Sequence, residues 1–79
     1  MPAEYLEVLE TVYEMAAGNK NNPVGEQLVG EQLGQQLDET KRIVNWLVDE
    51  GFLKRGSIAN VELTHKGIKE IEKGKLPGK

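Results

Sequence analysis

At Gly51 the hydrophobic pattern of this chain changes period, and that change limits what the chain can fold into. Before it, Thr40, Ile43, Val44 and Leu47 recur at three- and four-residue steps, the spacing of one buried helix face. After it, Phe52-Leu53-Lys54-Arg55 and Asn60-Val61-Glu62-Leu63 read as two short strands joined by a Gly56-Ser57-Ile58-Ala59 hairpin loop. Gly51 itself suits the left-handed residue that terminates a helix.

Two helices are predicted upstream. The first covers about residues 2–17: Leu6, Leu9, Tyr13 and Ala16 form its apolar stripe, with Tyr5, Val8 and Val12 widening it. Glu4, Glu7, Glu10 and Glu14 take the other face, and Pro2 suits the first turn. Gly18 ends this helix in a loop, Gly18-Asn19-Lys20-Asn21-Asn22-Pro23. The second helix covers about residues 24–33 despite Gly25 and Gly30. An interior glycine costs a helix roughly 1 kcal/mol, so Gly30 predicts a close approach by another helix. The third, residues 38–50, is expected to be capped by Asp38 or a neighbour, with Trp46 half-buried against the second helix or the hairpin. Thr64 caps a last helix, residues 65–73, with Ile68 and Ile71 facing inward. The expected fold is therefore mostly α with a small β-hairpin: a three-helix core, two strands and a C-terminal helix. It fills one domain, residues 1–74, with a flexible tail at 75–79.

The chemistry such a chain can support is narrow. It has no cysteine, which excludes a disulfide framework, a thiol nucleophile and a cysteine zinc site. One histidine, His65, makes no metal constellation and no triad. Ser57 has no base spaced to activate it, and no glycine-rich phosphate loop follows a strand. The expectation is no enzyme, no cofactor, no metal and no small-molecule substrate. No apolar run approaches the roughly 18 residues that cross a membrane, and the acidic start is unlike a secretory signal, so a cytoplasmic protein is expected.

Charge is unevenly placed within a net charge of −3. Residues 1–17 carry four glutamates and no Lys or Arg, while residues 52–79 carry seven Lys/Arg against three Glu. An acidic total argues against strong indiscriminate binding to polyanions, which rests on clustered cations. A local basic face remains open.

Three stretches, in this order, resemble the winged helix-turn-helix superfamily. Val29-Gly30-Glu31-Gln32-Leu33-Gly34 looks like its second helix and turn. Ile43-Val44-Asn45-Trp46-Leu47-Val48-Asp49-Glu50-Gly51-Phe52-Leu53 looks like its third helix entering the wing. Leu63-Thr64-His65-Lys66-Gly67 looks like its step from the last strand to the last helix. The opening Glu4-Tyr5-Leu6-Glu7 is similar to repressors of the metal-dependent and multiple-antibiotic-resistance types. The resemblance covers about residues 4–73. It implies a DNA-binding module, a transcription regulator, with the third helix in the major groove and the hairpin as a wing on the backbone. Metal regulation does not carry over, because the ligands are missing.

On that reading Lys41, Arg42 and Asn45 face outward from the third helix, beside Leu37 and Asp38. Gln35 and Gln36 lie in the turn, and Lys54, Arg55, Ser57 and Asn60 sit on the wing. The expected DNA-contacting set is Gln36, Lys41, Arg42, Asn45, Lys54, Arg55, Ser57 and Asn60, with the four cations converging on one face. Double-stranded DNA is the expected partner, bound by a homodimer. Asp38 and Glu39 depart from the family pattern, since they put carboxylates at the leading tip of the helix. They keep a second reading open, a protein-interaction module without DNA binding. The sign of the helix–hairpin face separates the two: a contiguous positive patch favours DNA, a mixed one a protein partner.

Overall fold

The computed structural model describes residues 1–75, in the order α1 (Ala3–Met15), β1 (Val24–Gly25), α2 (Glu26–Leu33), α3 (Leu37–Asp49), β2 (Leu53–Arg55), β3 (Asn60–Leu63) and α4 (His65–Lys75). Four helices thus pack with one small antiparallel sheet of strand order β1-β3-β2. The core joins Val8, Leu9 and Val12 of α1, Val29 of α2, Ile43, Val44 and Leu47 of α3, Leu53, Val61 and Leu63 of the sheet, and Ile71 of α4. No helix among the described residues is long and apolar enough to cross a membrane.

The third strand was not expected. Val24 and Gly25 do not open a helix; they pair with Val61 and Asn60 on the free edge of β3. A two-stranded hairpin is marginal alone, and this pairing covers one of its edges. Val24 also buries its branched side chain there. The second helix accordingly starts at Glu26, whose N–H donates to Ala59 O at 2.8 Å.

α1, α2 and α3 end in one way. After each, an N–H reaches back five residues: Gly18 to Tyr13 O, Gln35 to Gly30 O and Phe52 to Leu47 O, at 2.8–2.9 Å. This closure needs a left-handed residue just past the helix. Gly34 (φ +70°) and Gly51 (φ +86°) supply it after α2 and α3. After α1 it is Ala17 (φ +55°) followed by Gly18 (φ +69°), so that helix stops two residues short of its expected end. Thr64 caps α4 as expected, accepting from the Gly67 N–H at 3.0 Å and donating to Gly51 O at 2.6 Å. Asp38 does not cap α3: the cap residue is Gln36, with no side-chain bond, and Asp38 lies in the first turn. α4 runs past its expected end at 73 through Gly74 and Lys75, the latter the first residue of the expected tail; residues 76–79 of that tail lie outside the described residues.

Trp46 is half-buried, and its ring packs at the entry to the hairpin, one of its two expected places. Its ring meets Tyr5 of α1 edge-on at 5.0 Å and stacks on Phe52 at 6.3 Å. α2 instead meets α3 where Gly30 faces Thr40. A β-carbon at Gly30 would stand 2.6 Å from Thr40 Oγ1. Gly30→Ala is therefore expected to destabilise by about 1 kcal/mol, the clash outweighing the gain in helix propensity. Adding Thr40→Ala, which removes that oxygen, is expected to make the two changes non-additive in a double-mutant cycle of urea melts. Simple additivity would mean that the helices do not touch there.

Candidate nucleic-acid interface

The surface made by α3 and the hairpin is organised by a residue the sequence pattern did not single out. Glu26 opens α2, and its side chain is only 1% exposed. Its Oε2 lies 2.8 Å from Lys41 Nζ, and its Oε1 accepts from Arg55 Nη1. Arg55 Nη2 in turn donates to Asn45 Oδ1 at 2.6 Å. Lys41 and Asn45 stand one turn apart on α3 and so share a face. Arg55 reaches them from β2.

A buried carboxylate is costly unless paired, and here each oxygen meets a cation. Burial pushes the Glu26 carboxyl up; the hydrogen bonds and charges of Lys41 and Arg55 push it down by more. The net position is below the usual glutamate range, so Glu26 is ionised at neutral pH.

What this junction shows to solvent differs from what it contains. Lys41 and Arg55 are 48% and 37% exposed, while the carboxylate beneath them is covered. Two cations sit over one anion, leaving the centre of the face positive. Asn45 is oriented by chemistry: a guanidinium only donates, so the amide oxygen must face Arg55. Its Nδ2 is left as the outward donor.

The other expected contacts divide. Arg42 turns toward α1: it holds Glu39 at 2.7 Å, donates to Tyr5 Oη at 2.8 Å and lies 3.9 Å from Glu4. The Glu39 hydrogen bonds, then Tyr5, raise its guanidinium further above an already high value. Lys54 leaves the face altogether. Neighbouring residues of a strand point to opposite sides of the sheet, so Lys54 faces away from Arg55 and lies 3.7 Å from its cross-strand partner Glu62. The four cations therefore do not converge. Lys41 and Arg55 do; Arg42 binds α3 to α1, and Lys54 lies behind the sheet.

Ser57 and Asn60 close the hairpin loop on itself. Asn60 Nδ2 donates to Ser57 Oγ at 3.0 Å, and the Asn60 N–H to Ser57 O at 3.0 Å. Gln36 is exposed at the start of α3, next to exposed Leu37 and Asp38. The face is thus positive at its centre and mixed in sign at the leading end of α3. His65 is exposed in the first turn of α4, as expected.

No family model, curated protein or solved structure matches the chain.

Proposed function

We propose that this chain is a winged helix-turn-helix domain that binds duplex DNA, with α3 in the major groove and the β2–β3 hairpin as the wing. The observation that carries the reading is the Glu26 junction. It presents Lys41, Asn45 and Arg55 as one pre-set, exposed and net-positive group spanning helix and wing. The ordered resemblance of residues 4–73 to that superfamily supports it. The contacts centre on Lys41, Asn45 and Arg55, with Gln36 at the start of the helix. Asn45, with only its Nδ2 outward, donates to a guanine or thymine acceptor rather than pairing both edges of an adenine. The reading assigns no catalysis and no cofactor.

With about two cations available for phosphates, binding depends weakly on salt, at a log–log slope of roughly −2. A fluorescence anisotropy titration with a pool of duplexes at low and moderate salt tests this. Lys41→Ala is expected to weaken binding across all sequences and to flatten the slope by about one. Arg42→Ala, whose side chain is engaged with α1, is expected to change affinity little. Flat anisotropy at low salt would sink the DNA reading.

One observation favours a second reading, docking to a protein. The leading end of α3 is net negative, with Asp38 and Glu39 against Arg42, and Ile58 at the hairpin tip is 96% exposed. On that reading the same titration stays flat.

A further inference from the structure

We propose that the protein carries a separate anion site where the loop after α1, strand β2 and the start of α4 meet, one that takes the phosphate groups of a small phosphorylated molecule. The site is a pocket of about 410 Å³ lined by Lys20, Asn21, Lys54, Leu63, Thr64 and His65. Its three basic side chains come from three separate places: the loop after α1, strand β2 and the first turn of α4. No run of basic sequence brings them together; the fold does. No carboxylate lines the pocket.

Two of the donors in it, Lys20 and His65, are uncommitted. Neither Lys20 nor His65 takes part in any side-chain hydrogen bond or ion pair described among residues 1–75. Lys54 has only Glu62, at 3.7 Å, beyond hydrogen-bond length. Thr64, by contrast, is fully engaged, donating to Gly51 O and accepting from the Gly67 N–H. It is fixed structure, and it holds the adjacent His65 backbone in place at the pocket wall. In a chain of net charge −3, two lysines and a histidine gathered at one concavity, with Glu62 beside Lys54 but no acid in the lining, form a local cluster of donors.

Size sets the ligand class. The concavity is open to solvent, and its volume lies near the lower end of small-molecule pockets. A single phosphate leaves most of it empty, whereas a diphosphate fills more of it and reaches more than one cation. Ammonium groups approach phosphate as point charges, which suits a polyphosphate with several oxygens on offer. A DNA strand phosphate shares this chemistry. However, Lys54 and Arg55 point to opposite faces of the sheet, so a duplex seated on α3 does not also fill the pocket.

The probe is inorganic pyrophosphate, titrated at constant ionic strength into the isotopically labelled full chain and followed by amide chemical shifts. Saturable shifts confined to Asn21, Lys54, Thr64 and His65 are expected. The double variant Lys20→Gln/His65→Gln changes only exposed groups, keeps the melting temperature, and is expected to weaken binding at least tenfold. Lys69→Gln, on α4 outside the pocket, is expected to leave it unchanged. Shifts spread over all lysines, or indifference to the double variant, overturn the site. A parallel duplex titration separates the sources. If the double variant loses DNA affinity while pyrophosphate moves nothing, the groups serve a nucleic-acid strand and the small-molecule site is wrong. The pyrophosphate result stands or falls independently of the DNA reading.

Discussion

Gly67→Ala is expected to destabilise the fold by about 3 kcal/mol, a fall of roughly 12–24 °C in Tm for a domain of this size. A β-carbon at Gly67 would stand 2.1 Å from Phe52 O and 3.1 Å from its carbonyl carbon. These are backbone atoms, so no rotamer change relieves the contact. Nor can the segment retreat. The Phe52 N–H is bonded to Leu47 O at 2.8 Å, closing α3, and the Phe52 ring stacks on Trp46. α4 is pinned from its own side, because Thr64 Oγ1 donates to Gly51 O while capping Gly67. The Lys66 ammonium also sits 4.6 Å from the centre of the Phe52 ring. Alanine at 67 must therefore break a cap, a helix terminus or the ring stack. Gly74→Ala is the control: it lies in the same helix with nothing within 4 Å of its β-carbon, and it is expected to stabilise by about 0.5–1 kcal/mol. Circular-dichroism melts of the two variants check this. A Gly67→Ala protein melting within about 3 °C of the parent would show that α4 does not sit on Phe52 as described.

Helix existence was legible because it rests on local signals. The stripe through Ile43, Val44 and Leu47, the stop at Gly51 and the cap at Thr64 each involve residues within a few positions of one another. Gly30 was legible for a related reason: a glycine inside a helix lowers stability unless something needs the space, and Thr40 does. β1 was not legible. Two residues carry no period, and Val24-Gly25 becomes a strand only because the edge of β3, some 36 residues on, is free to pair. Propensity is a weak guide where a distant partner decides.

The candidate surface was half legible for the same reason. The residue types on the exposed side of α3 follow from helical spacing, so Lys41, Arg42 and Asn45 were found. Their partners do not follow from spacing. Glu26 lies 29 positions from Arg55, and Tyr5 lies 37 from Arg42. An acidic residue in the first turn of a helix reads as a dipole complement, and nothing local shows that it is buried between two cations. The separation of Lys54 from Arg55 was within reach of the sequence, because strand alternation puts adjacent residues on opposite faces.

Replacing Glu26 by glutamine should separate what holds the surface together from what it binds. Glu26→Gln keeps the shape but removes a charge paired with two cations, and a loss of about 2 kcal/mol is expected at neutral pH. The cost stays below that of a fully buried pair because Lys41 and Arg55 are partly exposed and regain water. The pH dependence identifies the cause. The Glu26 carboxyl sits below its usual range when folded and returns to it when unfolded. Around that range the unfolded chain therefore binds more protons. The stability Glu26 contributes is fully present above the ordinary glutamate range and is lost as pH falls through it and below. The gap between parent and variant in denaturant melts should thus be widest near neutrality and close in acid; a gap constant over roughly pH 3 to pH 7 would remove the carboxylate from the account. DNA binding should move the other way. With the anion gone, Lys41 and Arg55 carry uncompensated charge, so affinity for unrelated duplexes should rise and the salt slope steepen. Preference among sequences should fall, because Arg55 no longer fixes Asn45 against α3. A variant less stable yet more adhesive to DNA fits a buried carboxylate that trades electrostatic attraction for geometry. A variant less stable and still inert toward DNA would leave Glu26 as a structural brace and turn the α3 surface toward a protein partner.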